Sequence, residues 1–278
     1  MSAGSDPGEA MTAEEIQAVA PDSTKRNAFT ELMKSKPKAE NPVTSSSSRS
    51  ARPRSVRDGL GVYLENPASF PPSSVIYYND DFVAIHDLYP KSSVHTLLLP
   101  RSPKHNRLHP FEAFEDPEFL ALVQQETRKL RDLVAKELRR RFGKESAADA
   151  LREAVLNGDV EPDDGVDGGL PRGRDWAAEV RAGIHAHPSM NHLHIHVFSR
   201  DMHSRCLKHR KHYNSFNTPF LVDVEDFPLD ANDPRRHPGR EGYLKNDFIC
   251  WRCQKNYKNQ FQQLKAHLDL EFEAWKKE

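Results

Sequence analysis

Two hydrophobic periods share this chain, and each change of period marks an element. Residues 74–78 and 82–86 are short β-branched and aromatic runs around the polar turn Asn79-Asp80-Asp81, which predicts a β-hairpin. Residues 94–100 predict a third strand with a buried face, residues 180–185 a fourth and residues 191–199 a fifth. Between them the period becomes helical. Phe119, Leu122, Val123, Leu130, Leu133, Val134 and Leu138 recur at helix spacing, predicting one long amphipathic helix over 111–142. Its last turn carries Arg139-Arg140-Arg141, cations placed where the helix dipole is negative. A short amphipathic helix is expected around 58–64, stopped before Pro67. Strands flanking one long helix read as an antiparallel sheet with packed helices, the α+β class.

The pattern lapses in three places. Residues 1–55 hold Ser45-Ser46-Ser47-Ser48, several prolines and scattered charges, with little to bury, and are expected to be a disordered tail. Phe29, Leu32 and Met33 form a helical-spaced island within it, either a docking helix for a protein partner or residual hydrophobicity. Residues 143–175 read as an insertion, helical over 147–156 and then acidic, glycine-rich and mobile. A polar stretch over 223–246 leads into a compact module. The expected organisation is a tail (1–55), a main domain (56–222) and a linker with a small module (223–278).

Composition changes this picture little. Lys and Arg number 40 against 41 Asp and Glu, so net charge selects no partner. No apolar run is long enough to span a membrane, and Met1-Ser2-Ala3-Gly4-Ser5 does not open a signal peptide. Three cysteines, two spaced Cys250-x-x-Cys253, do not make a disulfide framework, so a reducing compartment, cytosol or nucleus, is expected.

Candidate chemistry concentrates in residues 191–198. His192, His194 and His196 alternate with Leu193, Ile195 and Val197. In a strand the three imidazoles would share one face, about 7 Å apart, with the apolar residues buried behind them. A single histidine on a strand is usually a satisfied structural residue. Three in alternation, preceded by His185-Ala186-His187-Pro188-Ser189, point to a site. Zinc is the competing functional reading, since imidazole is a common ligand. Neighbours at i and i+2 on a flat strand, however, rarely converge on one ion.

The run His192-Leu193-His194-Ile195-His196-Val197-Phe198 resembles the signature of the histidine-triad (HIT) superfamily. The resemblance extends over residues 56–278. It includes Asp87-Leu88-Tyr89-Pro90-Lys91, His95 with Leu98-Leu99-Pro100, His185-x-x-Pro188-Ser189-Met190, Ser199-x-Asp201, and Cys206 through Thr218. Within the superfamily this is similar to the aprataxin family, in its fungal form, which repairs adenylated DNA ends. The resemblance implies a HIT-like sheet and a DNA 5′-adenylate hydrolase, an adenosine-5′-diphospho-5′-DNA diphosphatase of single-strand break repair. His194 would attack the α-phosphorus, give a covalent His-AMP and release AMP through water. The His192 carbonyl would hold His194 Nδ1 and leave Nε2 free. His185 would protonate the departing DNA phosphate, and His192 and His196 would stabilise the transition state. Lys211, Lys208 and Ser189 would contact phosphates, while His95, Asp87 and Lys91 would line the nucleotide pocket. No metal is implied for the chemical step. A nuclear location, with a cytoplasmic pool as an alternative, follows from the same resemblance.

The small module carries its own chemistry. Cys250 and Cys253 are followed after thirteen intervening residues by His267 on a predicted helix, the spacing of a Cys₂His₂ zinc finger. Glu271 stands where a second histidine is expected, and i, i+4 spacing puts it on the face of His267. A single structural Zn²⁺ held by Cys250, Cys253, His267 and Glu271 is therefore expected, in a ββα-like DNA-binding module. The alternatives are three ligands with Glu271 as a surface charge, or a redox Cys-x-x-Cys. Lys255, Lys258 and Lys265 would meet DNA phosphates.

The chain departs from the family in one visible place. Aprataxins carry an aromatic wedge for the terminal base pair just before the first hairpin, and alignment puts Val56 there, apolar but without a stacking face. The rival functions are hydrolysis of dinucleoside polyphosphates or nucleoside phosphoramidates, activity on guanylated DNA 3′ ends, and a non-catalytic zinc-finger adaptor.

Overall fold

The structure, a computed structural model, describes residues 56–162 and 169–278. The Phe29–Met33 island and the rest of residues 1–55 lie outside the described residues, as do residues 163–168. Six antiparallel strands form one sheet: β1 Val75–Tyr78, β2 Phe82–His86, β3 His95–Pro100, β4 Val180–His185, β5 Ile195–Ser199 and β6 Leu221–Asp223, in the order β1-β2-β3-β5-β4-β6. Asn79 closes the predicted hairpin by accepting from the amides of Asp81 and Phe82 at 2.9 and 2.7 Å.

Three expectations change. The fifth strand begins at Ile195, not residue 191, so His192 and His194 lie in the entry to β5. The sixth strand was not predicted, because Leu221-Val222-Asp223 is too short to show a period. The helix expected over 111–142 is two helices, α2 Pro110–Ala113 and α3 Pro117–Phe142, after a short helix α1 Gly61–Glu65. Asp116 makes the break by capping α3, accepting from Phe119 N at 3.2 Å, with Pro117 at the first helical position.

Cross-strand register assigns the faces. His95 pairs with Phe198, Leu97 with His196, and Gly183 with His196, so these residues share one face with His185. Leu98, Ile195, Val197, Ala182, Ile184 and Val222 occupy the other, packed in the core with Val123, Leu130 and Val134 of α3. The histidine face is thus backed by a sheet whose reverse is sealed by a long helix.

The two ends of the 143–175 segment are built into the core, which narrows the expected insertion. Within it α4 spans Ala150–Asn157. Asp149, fully buried, accepts from Arg174 N at 2.9 Å and Trp176 Nε1 at 2.6 Å. Gly173 makes this possible: at φ +67° its missing Cβ would fall 2.0 Å from Asp149 Oδ1. Helix α5 is Arg210–Asn217, α6 is Pro238–Glu241 and α7 is Phe261–Trp275. The small module is a knuckle, bridged at Ile249 and Asn256, followed by α7. It docks on the sheet domain through aromatic contacts. The Arg174 guanidinium contacts both Trp176 and Trp275, His203 stacks on Phe272 at 4.0 Å, and Trp251 Nε1 donates to Asp201 O at 3.2 Å.

Candidate active site and metal centre

His194 and His196 lie with His185 and His95 in one buried cluster. Ring centroids are 5.0 Å apart for His194 and His196, 4.5 Å for His185 and His196, and 5.2 Å for His95 and His196. Phe216 of α5 packs against His95, His185 and His196 at 4.8 to 5.2 Å. His192 packs against α1. A Cβ on Gly61 would stand 2.9 Å from its Cε1, so the helix can approach this ring only without a side chain. The cleft beside it is lined by Asp58, Leu64, Asn106 and Arg107 among others. Asp58 fastens this corner, accepting from Asn191 Nδ2 at 3.0 Å and Arg107 Nη2 at 3.1 Å.

Backbone groups fix the tautomers. The His192 carbonyl can only accept, so at 2.7 Å it takes a proton from His194 Nδ1. Burial lowers the pKa of His194, leaving a neutral ring with a lone pair on Nε2. The Lys91 amide can only donate, and it does so to His95 Nδ1 at 3.0 Å. Burial pushes His95 down to about 4, so its single proton sits on Nε2 and is donated to His196 Nδ1 at 3.0 Å. Burial, then the neighbouring imidazoles, hold His196 well below the usual histidine range. Its proton therefore occupies Nε2, a buried atom without a hydrogen-bond partner among the described residues. One ring offers a lone pair and its neighbour an N–H.

Other predicted residues surround this pair. Asp87 Oδ2 lies 3.5 Å from His95 Nε2, and Asp87 Oδ1 accepts from Tyr89 N at 2.8 Å. Lys91 is buried, its Nζ donating to Tyr89 O at 2.7 Å, close enough to the histidines to depress their pKa values. His185 is buried and driven well below the ordinary range, first by desolvation and then by His194. Ser189 is buried. Lys208 is exposed, and Lys211 is half-buried in the first turn of α5. Val56 opens a 3-10 turn ahead of α1, and its side chain is not described.

Sequence reasoning missed Gly61, Phe216 and the Lys91 amide. Phe216 sits in the quoted Cys206–Thr218 block, but nothing in its neighbours marks which aromatic ring faces the histidines. The amide has no side-chain signal at all.

The second cluster is Cys250, Cys253, His267 and Glu271, whose ligand atoms all lie within 4.8 Å of one another. Cys253 Sγ is 3.1 Å from His267 Nε2, which is 3.0 Å from Glu271 Oε1. A tetrahedral Zn²⁺ with bonds of about 2.0–2.3 Å sets its donors about 3.5 Å apart. The donor set and its spacing fit zinc. Asp87, His95 and His196 also approach within that limit, but their hydrogen-bond relay already uses the nitrogens a metal would need.

Comparison with known proteins finds relatives of both regions. Residues 70–203 match the family model of the HIT domain, and residues 217–274 that of the C2HE / C2H2 / C2HC zinc-binding finger. The chain is 34% identical over 251 residues to an aprataxin-like protein of Schizosaccharomyces pombe, covering 90% of this chain and 94% of that protein. It is 35% identical to an aprataxin-like protein of Saccharomyces cerevisiae, covering 78% and 96%. Among solved structures, the aprataxin ortholog Hnt3 in complex with DNA is 30% identical, covers 80% of this chain and 96% of that one, and superimposes with a TM-score of 0.60. Hnt3 in complex with DNA and guanosine is 32% identical, with coverage of 80% and 97% and a TM-score of 0.59.

Proposed function

The chain belongs to the aprataxin family of histidine-triad proteins, and from that premise we propose that it removes AMP from adenylated DNA 5′ ends left by abortive ligation. The observation that carries the mechanism is the His194 Nδ1–His192 O hydrogen bond, which commits the Nε2 lone pair to attack. As the Nε2–phosphorus bond forms, the bond from phosphorus to the bridging oxygen breaks and the DNA 5′-phosphate departs with the electron pair. The Nε2–H of His196 meets the non-bridging oxygens, where charge develops, with His192 alongside. His185 is neutral before substrate arrives; the anionic phosphates would raise its pKa and let it hand a proton to the departing phosphate. Water then adds to phosphorus, the nitrogen–phosphorus bond breaks and AMP leaves. Lys91, Lys211, Lys208 and Ser189 are assigned to phosphate contacts, and Asp87 with His95 to the nucleotide pocket.

The division of labour is residues 56–222 for chemistry and 223–278 for DNA, with Val56 at the wedge position. Zinc binds the finger through Cys250, Cys253, His267 and Glu271 and supplies structure to a module with few core residues of its own. The protein acts in the nucleus under this reading; among the described residues no helix is long and apolar enough to cross a membrane.

The test is AMP release from adenylated nicked DNA against turnover of free dinucleoside polyphosphate, wild type and His194→Ala. A strong preference for the nick and a trapped nucleotidyl-protein lost in His194→Ala are expected. An unchanged rate in that variant would sink the mechanism. The guanosine in the Hnt3–DNA complex favours a second reading, removal of GMP from guanylated DNA 3′ ends, which the same assay reads with that substrate.

A further inference from the structure

Arg252 lies inside the Cys250-x-x-Cys253 knuckle, yet its guanidinium faces the helix. Its Nη1 donates to Glu271 Oε2 at 2.5 Å, while the other oxygen, Oε1, faces His267 Nε2 at 3.0 Å. Arg252 Nη2 pairs with Glu278, whose second carboxylate oxygen meets Arg174 Nη2 at 3.3 Å. The Glu271 carboxylate is thus divided, one oxygen held by arginine and one turned to the metal-ligand cluster.

Charge gives this division a purpose. Two cysteines and two neutral histidines carry two negative charges, which Zn²⁺ cancels. Replacing one histidine by glutamate leaves one negative charge over, in a site that is half enclosed. We infer that Arg252 is an outer-shell positioning residue for the zinc site, required because Glu271 stands in place of histidine: it neutralises the surplus charge, fixes Glu271 as a single-oxygen ligand and, through Glu278 and Arg174, ties the metal site to the catalytic domain. Arginine suits the task, since its planar fork can serve two carboxylates at once. The inference rests on the assignment of Glu271 as a zinc ligand.

The test is zinc affinity of the full chain by chelator competition, together with the visible spectrum of the Co²⁺-substituted protein. Outer-shell substitutions typically weaken metal binding about 10- to 100-fold, and that loss is expected for Arg252→Ala. Arg252→Lys, which keeps the charge, should lose less. In a Glu271→His background, where no surplus charge remains, Arg252→Ala should cost less than about threefold. The cobalt bands should shift in Arg252→Ala toward those of Glu271→Ala. Wild-type affinity in Arg252→Ala, or an equal loss in both backgrounds, overturns the inference. If Arg252→Ala does not fold, Arg252→Lys against Arg252→Gln reads the same difference, and equal affinities overturn it. Unchanged zinc binding in Glu271→Ala defeats instead the ligand assignment beneath it.

Discussion

His95 Nε2 and His196 Nδ1 meet at 3.0 Å across two paired strands, and the proton between them belongs to His95 because the Lys91 amide occupies its other nitrogen. Two buried neutral rings thereby receive a defined polarity from one backbone N–H. His194, the proposed nucleophile, is oriented independently by the His192 carbonyl. Attack and stabilisation are thus oriented by two separate main-chain groups.

His95→Phe tests the first of these. Phenylalanine keeps the ring against Phe198 and Phe216 but cannot donate to His196. Loss of one transition-state donor costs about 10²–10³-fold, so His196→Ala should lower kcat by that factor. His95→Phe should lower kcat about 10-fold or more, and the double variant little beyond His196→Ala alone. Single-turnover AMP release measures all three. Additive losses would mean that His95 does not act through His196.

pH dependence follows from burial. Under the proposed mechanism His194 attacks only when neutral, and its lowered pKa keeps it so to below 6.5. The rate should therefore stay level from about pH 7.5 to 6.5 and fall in more acid solution. Stability should fall in the same direction. His95, at about 4 in the fold, binds its proton more readily once unfolded, so acid below 6.5 favours the unfolded chain. By pH 4 His95 alone should cost a few kcal/mol, with His185 and His196 adding in the same sense. Urea midpoints at about pH 7.5 and 5 check this, and a higher midpoint at the acid value would contradict it.

Metal removal should separate the two halves of the function. Chelation removes the ion, and Cys250→Ser one of its proposed ligands, from a site whose neighbours Phe248, Leu264 and Leu268 form one core with Phe198 and Tyr213 of the sheet domain. Adenylated nicked DNA should then bind at least about tenfold more weakly, while hydrolysis of a free dinucleotide falls much less. Zinc by metal analysis and the two KM values read the result. Equal loss on both substrates would place the metal's influence in the catalytic pocket.

Much of this was legible in the chain because it repeats at short range. The hairpin at Asn79, the alternation at 192–197 and the knuckle-to-helix spacing of Cys250, Cys253, His267 and Glu271 are local patterns whose geometry is set within a few residues. What was hidden depends on contacts distant in sequence. Leu193 N donates to Asn106 O and Asn191 N to Arg57 O, which hold the entry to β5 away from the sheet and so shorten the predicted strand. Phe216 and Gly61 matter only because α5 and α1 close over the histidines. Asp149 lies in the part of the expected insertion read only as helical, since nothing near it announces Trp176.

Asp149 is also where the coupling of the two domains can be cut away from both sites. It accepts from Arg174 N and Trp176 Nε1, and Arg174 in turn donates to Trp275 O at 2.6 Å and pairs with Glu278. The neighbouring amides of Ala147 and Ala148 donate to Lys277 O and Glu278 O at 3.0 and 2.8 Å. In Asp149→Ala two buried donors lose their acceptor, each worth about 1–3 kcal/mol, so stability should fall by about 2–6 kcal/mol in urea denaturation. Arg174 then loses one anchor, and the end of α7 should dock less firmly. The expected kinetic signature is a raised KM for adenylated nicked DNA with kcat on a free dinucleotide within about twofold of wild type. Asp149→Asn retains one acceptor and should lie between the two. A stability loss with no change in KM for the nick would show that the clamp holds the fold together without positioning the finger on DNA.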